Sequence, residues 1–349
     1  MFRMKLGRFC VFDGRASNTC YNRAMIDQPQ KKTILIFGVD TFAGSSIAQF
    51  FKKHFRVIGT YHDEKTSISG ILTIPCDVLV KEEVQLLIYA FKVDICIYAV
   101  GMESIYECDQ NPQRAEAINT SGLFNVAEFC QRYKAQVCYL SSQYVFSGNQ
   151  VNYIEMDIPD PNTVYGRTKS SSEFYLQKTS LNYIIFRCCH LYGRGQSVLK
   201  QTWFEKIQKN FLKSENVTAD AALKMGFLDV DYLSMLMKVC FEKNVMNRLF
   251  QICSKDIDSH YDFAKKYSQI FKENTKLIKA GLWPFKLEKG NKNSQLQSYQ
   301  LDPVNIEGFL NITMPTVEES IQYTYEKFNG SVDQKSSWSK SKSAGISFI

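Results

Sequence analysis

The sequence predicts an α/β protein, a doubly wound parallel sheet with a smaller C-terminal region attached. Three observations carry that expectation. Short apolar, β-branched runs alternate with amphipathic helical stretches between residues 33 and 192, the pattern that crossover connections impose on a parallel sheet. A turn bounded by glycines, GVDTFAG, separates the first run from the first helical stretch. The chain has 349 residues at 45% hydrophobic content, enough for one large core and a smaller unit.

The elements follow in order. Thr33–Phe37 (TILIF) stops at Gly38, and Gly44 precedes SSIAQFFKK with apolar residues at helical spacing, which reads strand, tight turn, helix. A second strand spans 55–61 (FRVIGTY), and a third lies around ILTIPCDV. A helix at Lys81–Phe91 and a strand in DICIYAV continue the alternation. After Asn119 come a helix (SGLFNVAEFCQRY), the strand QVCYLSS, a loop rich in Asn, Asp and Pro, a helix from near Tyr165 and the strand NYIIFRCCHLY. Beyond Gly195 the alternation weakens, with helices predicted at 200–212 and 232–243 and a strand in RLFQIC. The division expected is a nucleotide-binding domain at 31–190 with a return near 226–253, and a mainly substrate-binding region at 191–328. Residues 1–30 and 329–349 read as disordered, the latter poor in apolar residues and rich in Ser and Lys.

Charge excludes one class of partner. The net +7 sits in the tails: residues 1–32 hold seven Lys/Arg against two acids and residues 331–349 three against one, so the body between them is neutral. That leaves no electrostatic case for nucleic acid. Several of the eleven cysteines lie inside apolar runs, the pattern of buried thiols in a reducing compartment. No CxxC pair has metal-ligand spacing and the four histidines are scattered, so no metal is expected. No apolar stretch approaches the roughly 18 residues of a membrane helix. The N-terminus lacks the apolar core of a secretory signal, so a cytoplasmic chain without membrane contact is expected. The acid-poor first 30 residues read as an extension or as lying upstream of a start at Met25, with an organelle transit peptide as the alternative.

The GVDTFAG turn keeps the first and last glycine of a dinucleotide-binding turn, Gly38 and Gly44, but places Thr41 at the middle position, where a Cβ obstructs approach of a pyrophosphate to the helix N-terminus. At the end of the second strand an acid would favour NAD, and Thr60, Tyr61 and His62 stand there instead, which favours NADP(H) over NAD(H). Asp63 and Glu64 follow closely, and a shift of two residues in register reverses that preference.

Tyr165 and Lys169 are four apart at the start of a helix and share one face. A phenol titrates near 10, and a nearby ammonium favours its ionised form. Lowering it by about three units takes roughly 4 kcal/mol, which Lys169 and a nicotinamide cation in a dry site can supply. Upstream, QVCYL ends in Ser141-Ser142-Gln143, which puts Ser142 at the carboxyl end of a strand, where open α/β sheets bind ligands. There it can hydrogen-bond the carbonyl that Tyr165 protonates.

These residues resemble the extended short-chain dehydrogenase/reductase family, and within it the dTDP-4-dehydrorhamnose reductase group, over about residues 31–328. SSQYVFSG is similar to the group's S-T-D-Y-V-F-D-G, and VYGRTKSSSE to its Y-G-x-[ST]-K-x-x-[GA]-E. YIEMD ahead of a Pro-containing loop, AINTSGLFNVAEFC, RCCHLYGRG and FLDVDYL add weaker matches. The resemblance implies a Rossmann-type fold and NAD(P)H-dependent reduction of a 4-keto nucleotide sugar. A nucleotide-sugar epimerase or dehydratase with bound NAD is an alternative, as is a non-catalytic subunit similar to the regulatory subunit of methionine adenosyltransferase. It implies Tyr165 as acid/base, Lys169 on the nicotinamide ribose, Ser142 polarising the keto group and Asn119 bending its helix and holding water. Gly38, Thr41, Phe42, Ala43 and Gly44 would receive the pyrophosphate, Asp77 the adenine, and Ala99 and Gly101 the cofactor ribose and phosphates. A homodimer is the assembly expected. The chain departs from the group at Thr41, at Gln143 and Ser147 in place of two aspartates, and at AVGMES in place of an Asn-Ala-Ala start.

Overall fold

The computed structural model describes residues 31–62, 65–180, 182–195, 201–281 and 298–330. The expected tail at 1–30 and all but the first two residues of that at 329–349 lie outside them. The first half runs β1 (Thr33–Phe37), α1 (Phe42–Phe51), β2 (Arg56–Tyr61), β3 (Leu72–Pro75), α2 (Lys81–Phe91), β4 (Ile95–Tyr98), α3 (Ile105–Gln110) and α4 (Pro112–Glu116). A π-helical turn (Ala117–Ser121) then leads into α5 (Gly122–Tyr133), β5 (Gln136–Ser142), α6 (Val164–Thr179), β6 (Tyr183–Cys188) and β7 (His190–Tyr192). The second half contains α7 (Trp203–Leu212), β8 (Val217–Asp220), β9 (Lys224–Met225), β10 (Phe227–Asp229), α8 (Val230–Glu242) and β11 (Arg248–Ile252). It closes with α9 (His260–Ile270), β12 (Ile278–Gly281), β13 (Ser298–Tyr299), α10 (Val304–Leu310) and α11 (Val317–Phe328).

Seven strands form one parallel sheet in the order β11-β6-β5-β4-β1-β2-β3. Successive side chains of a strand face opposite ways, so a sheet covered on both sides needs strands apolar throughout. β1 meets that need. Ile34 and Ile36 join a core with Ile47 of α1 and Leu233 and Leu236 of α8, while Leu35 and Phe37 join another with Val84 of α2 and Leu123 and Val126 of α5. The strand order reverses between β1 and β4, which opens a crevice at their carboxyl ends.

Two features differ from the sequence expectation. The run NYIIFRCCHLY is broken at Cys189, whose N–H donates to Ile252 O, and β7 leaves the sheet to pair with β10. The C-terminal part also holds more structure than the weakened alternation indicates. Two further short parallel pairs, β8 with β12 and β9 with β13, and helices α7, α9 and α11 surround an aromatic core that includes Phe204, Phe227, Phe263 and Tyr267, while α10 packs into the sheet core. Strands of two to four residues carry too few side chains to display a period.

α11 is tied down by charge. Asp229 is fully buried at the start of α8, where its side chain accepts from Asp231 N. Lys327 Nζ donates to both its oxygens at 2.9 and 2.8 Å, and Thr324 Oγ1 donates at 2.7 Å. Thr324 and Ser320 also bond the Tyr192 hydroxyl, so α11 supports β7 from behind. The nine described cysteines are all buried free thiols. Among the described residues, no helix is long and apolar enough to cross a membrane and no group of three His, Cys, Asp or Glu could hold a metal ion.

Candidate active site

The first turn is built for close approach. Gly38 has φ +91°, and a Cβ there would lie 2.9 Å from Val100 N; a Cβ on Gly44 would lie 2.0 Å from Gly38 O. Thr41, the departure from the glycine pattern, sits between them in ordinary extended backbone (φ −87°, ψ 161°) as N-cap of α1. Its Oγ1 accepts from Gly44 N at 3.0 Å and donates to Gly38 O at 2.9 Å, so the hydroxyl closes the turn on itself. The side chain that looked like an obstruction is therefore the cap.

The turn opens on a cleft of about 1070 Å³ lined by Gly38, Thr41, Phe42, Asp77, Gly101 and His190 among others. Asp77 reaches it from the end of β3 and accepts from Leu79 N at 2.8 Å, with its other oxygen 3.8 Å from His62 Nε2. Tyr61 and His62 line the cleft at the end of β2, while Asp63 and Glu64 lie outside the described residues. Three of the expected cofactor residues are not among those lining the cleft. Ala99 is buried, its N–H donating to Phe37 O, and Val100 and Gly101 reach the cleft in its place. Ala43 and Gly44 face inward, Ala43 against the core and Gly44 against Gly38, and hold helix to strand. A cleft that begins at Gly38 and the N-terminus of α1 and continues past Asp77 fits an extended dinucleotide.

Beyond Gly101 the cluster around Tyr165 begins. α6 starts under the cap of Thr163, whose hydroxyl accepts from Gly166 N, and a Cβ on Gly166 would lie 2.0 Å from Tyr144 O. Tyr165 is thus pinned beside β5. Ser142 acts on its hydroxyl, favouring the ionised phenol, and Lys169 Nζ lies 5.5 Å from its ring centroid. Lys169 is buried and donates to Leu140 O at 3.0 Å. Asn119 occupies the π-helical turn, its Oδ1 accepting from Met102 N at 2.8 Å and its Nδ2 donating to Thr168 Oγ1 at 3.0 Å. Thr168 in turn donates to Tyr165 O at 2.8 Å. The four expected residues are therefore one connected group, next to the cleft wall rather than on it: a Cβ on Gly101 would meet Asn119 Oδ1 at 3.1 Å and Lys169 Nζ at 3.9 Å.

The electrostatics run opposite to one expectation. Burial, with the Glu103 charge second, holds the Tyr165 phenol well above its usual range, and the Ser142 hydrogen bond only partly offsets them. Burial likewise lowers Lys169, opposed by Glu103. Desolvation thus sets the direction for both groups, and the phenol is held in its protonated form. Sequence reading missed Thr168, the link between Asn119 and Tyr165, although it stands inside the YGRTK string. It also missed Asp160, which accepts from Ser147 Oγ at 2.6 Å and Ser147 N at 2.9 Å and so brings a carboxylate back to a place where the reductase-group pattern has one.

Fold and site together define an NAD(P)-dependent oxidoreductase of the extended short-chain dehydrogenase/reductase type. The chain belongs to the RmlD substrate binding domain family, whose model matches residues 32–327. It is 22% identical over 289 residues to a probable low-salt glycan biosynthesis reductase of Haloferax volcanii, covering 82% of this chain and 95% of that one. It is 26% identical over 204 residues to the dTDP-4-dehydrorhamnose reductase of Escherichia coli, covering 58% and 66%. The dTDP-4-dehydrorhamnose reductase of Bacillus anthracis, solved in complex with NADP, superposes with a TM-score of 0.72 at 18% identity over 86% of this chain and 99% of that one.

Proposed function

We propose that the chain reduces a 4-keto nucleotide sugar of the dTDP-4-dehydrorhamnose kind. The hydrogen-bonded group Asn119–Thr168–Tyr165, with Ser142 at the carboxyl end of β5, supports this reading most. Ser142 would donate to the keto oxygen and Tyr165 would pass it a proton, the phenol being held protonated for that step. Lys169 would turn from Leu140 O to the ribose of the cofactor, and Asn119 would fix the loop at Met102 and hold water. Gly38, Thr41, Phe42, Asp77 and Gly101 would hold the cofactor along the cleft, which when bound supplies hydride. NADP(H) is the proposed form, because β2 ends in Thr60-Tyr61-His62 with no acid. Residues 31–190 with the return at 226–253 would carry the cofactor, and 191–328 mainly the sugar nucleotide.

The test is cofactor oxidation, followed by absorbance, with a panel of nucleoside-diphosphate keto sugars. Tyr165→Phe is expected to lower kcat by roughly 10²- to 10⁴-fold. A wild-type protein that oxidises neither NADPH nor NADH with any of them overturns the proposal. The methionine adenosyltransferase 2 β subunit of Rattus norvegicus, 28% identical over 135 residues and matched over 40% of its length, marks the second reading, a binding module. Cofactor binding without turnover, together with a co-purifying enzyme, would select it.

A further inference from the structure

One cleft residue is not used by the reading above, and its surroundings specify what it can do. Cys188 at the end of β6 is in register with Ser142 at the end of β5. The strand breaks at Cys189 and restarts at His190, which pairs with Phe227 and whose N–H donates to Gly226 O at 3.1 Å. His190 is therefore two residues past the sheet edge on which Ser142 stands, and it lines the same cleft as Gly101.

The imidazole is held by rings. His260 lies 5.0 Å away at 78°, Phe227 5.2 Å away at 60° and Trp203 5.9 Å away at 89°. Such contacts fix a ring's plane and leave its nitrogens unsatisfied. Among the described residues neither nitrogen of His190 has a hydrogen-bond partner, and the residue is only half-buried, on the cleft side. An oriented polar group without a protein partner at the rim of a cleft is arranged for a ligand.

We infer that His190 is a positioning residue for the sugar, its imidazole hydrogen-bonding a ring hydroxyl near the keto group that Ser142 and Tyr165 address. This rests on the proposed reduction. Burial holds the imidazole neutral, with its pKa pushed down to about 4, so it offers one donor and one acceptor. A hydroxyl matches both. A nicotinamide carboxamide has the same donor and acceptor chemistry, and the test separates the two.

The experiment uses the full chain, uniformly labelled with 15N-histidine, with the His190 imidazole signals assigned by their loss in His190→Gln. NADP⁺ is added first and dTDP-glucose second. The His190 nitrogens are expected to shift on the second addition. A shift complete after the first assigns the contact to the cofactor, and no shift on either leaves the ring a core residue; both overturn the inference. This readout needs no turnover, so it is independent of the reductase reading. In the kinetic arm, KM for the accepted keto sugar is expected to rise about tenfold in His190→Leu, on the order of one lost hydrogen bond, with cofactor Kd unchanged. His190→Gln, which keeps a donor and an acceptor, is expected to restore most of the loss. Equal losses in both variants overturn the hydrogen bond even where the sugar binds nearby.

Discussion

Thr41 shows how a departure from a motif can conserve its geometry. In the glycine turn a hydroxyl bonded to Gly44 N and Gly38 O supplies the cap that the first turn of α1 needs. Thr41→Ala is therefore expected to cost about 1 kcal/mol of stability and Thr41→Gly only a few tenths, compared by chemical denaturation. A Thr41→Ala variant as stable as the wild type would mean that the hydroxyl contributes nothing. The Tyr165 phenol gives a second prediction. Because burial and the Glu103 charge hold it above the ordinary tyrosine range, it stays protonated as pH rises. The kcat/KM of the free enzyme should show no alkaline decline from this group below about pH 10, whereas a Lys169-lowered phenol would give a decline near 7. Tyr165, Lys169 and Ser142 were legible because spacing and strand-end position are local properties of the chain. The direction of the phenol's shift was not, since burial depends on everything packed around it.

Among the elements, β1, α2 and β5 were readable to the residue, each a continuous apolar or amphipathic run bounded by turn residues. The β6–β7 break was not, because its cause is a change of backbone partner, the His190 N–H donating to Gly226 O just ahead of β10 rather than to β11. The π-helical turn is similar. Its extra residue lets Asn119 point at Met102 and Thr168, which are 17 and 49 residues away. Asn119→Ala should leave the half-buried Met102 N–H without its partner and the Thr168 hydroxyl with Tyr165 O alone. The expected cost is about 1–3 kcal/mol in unfolding free energy, with faster amide exchange at Met102. Unchanged exchange there would show that the loop is held by other means.

At the scale of the whole molecule, the sheet and the C-terminal region share cores and an ion pair. α8 and β11 complete the sheet core, and α11 reaches back to Asp229. Lys327→Met removes the cation from a carboxylate that no water reaches, and is expected to destabilise the fold by about 3–5 kcal/mol. The double variant Lys327→Met, Asp229→Asn should recover part of that loss, seen as a rise in Tm over the single variant. A single variant as stable as the wild type would overturn this account of the pair.

That same pair sets an order of events during synthesis. Asp229 is made 98 residues before Lys327, and at about 5–20 residues per second the gap is roughly 5 to 20 seconds. In that interval β1 to β7 can pair, but the carboxylate at the start of α8 has no cation to enter the core with. The region behind Tyr192 then stays open until α11 is complete. A chain stalled just past Ile252 should carry a protease-resistant sheet and an unprotected cleft wall, whereas one stalled past Phe328 should protect both.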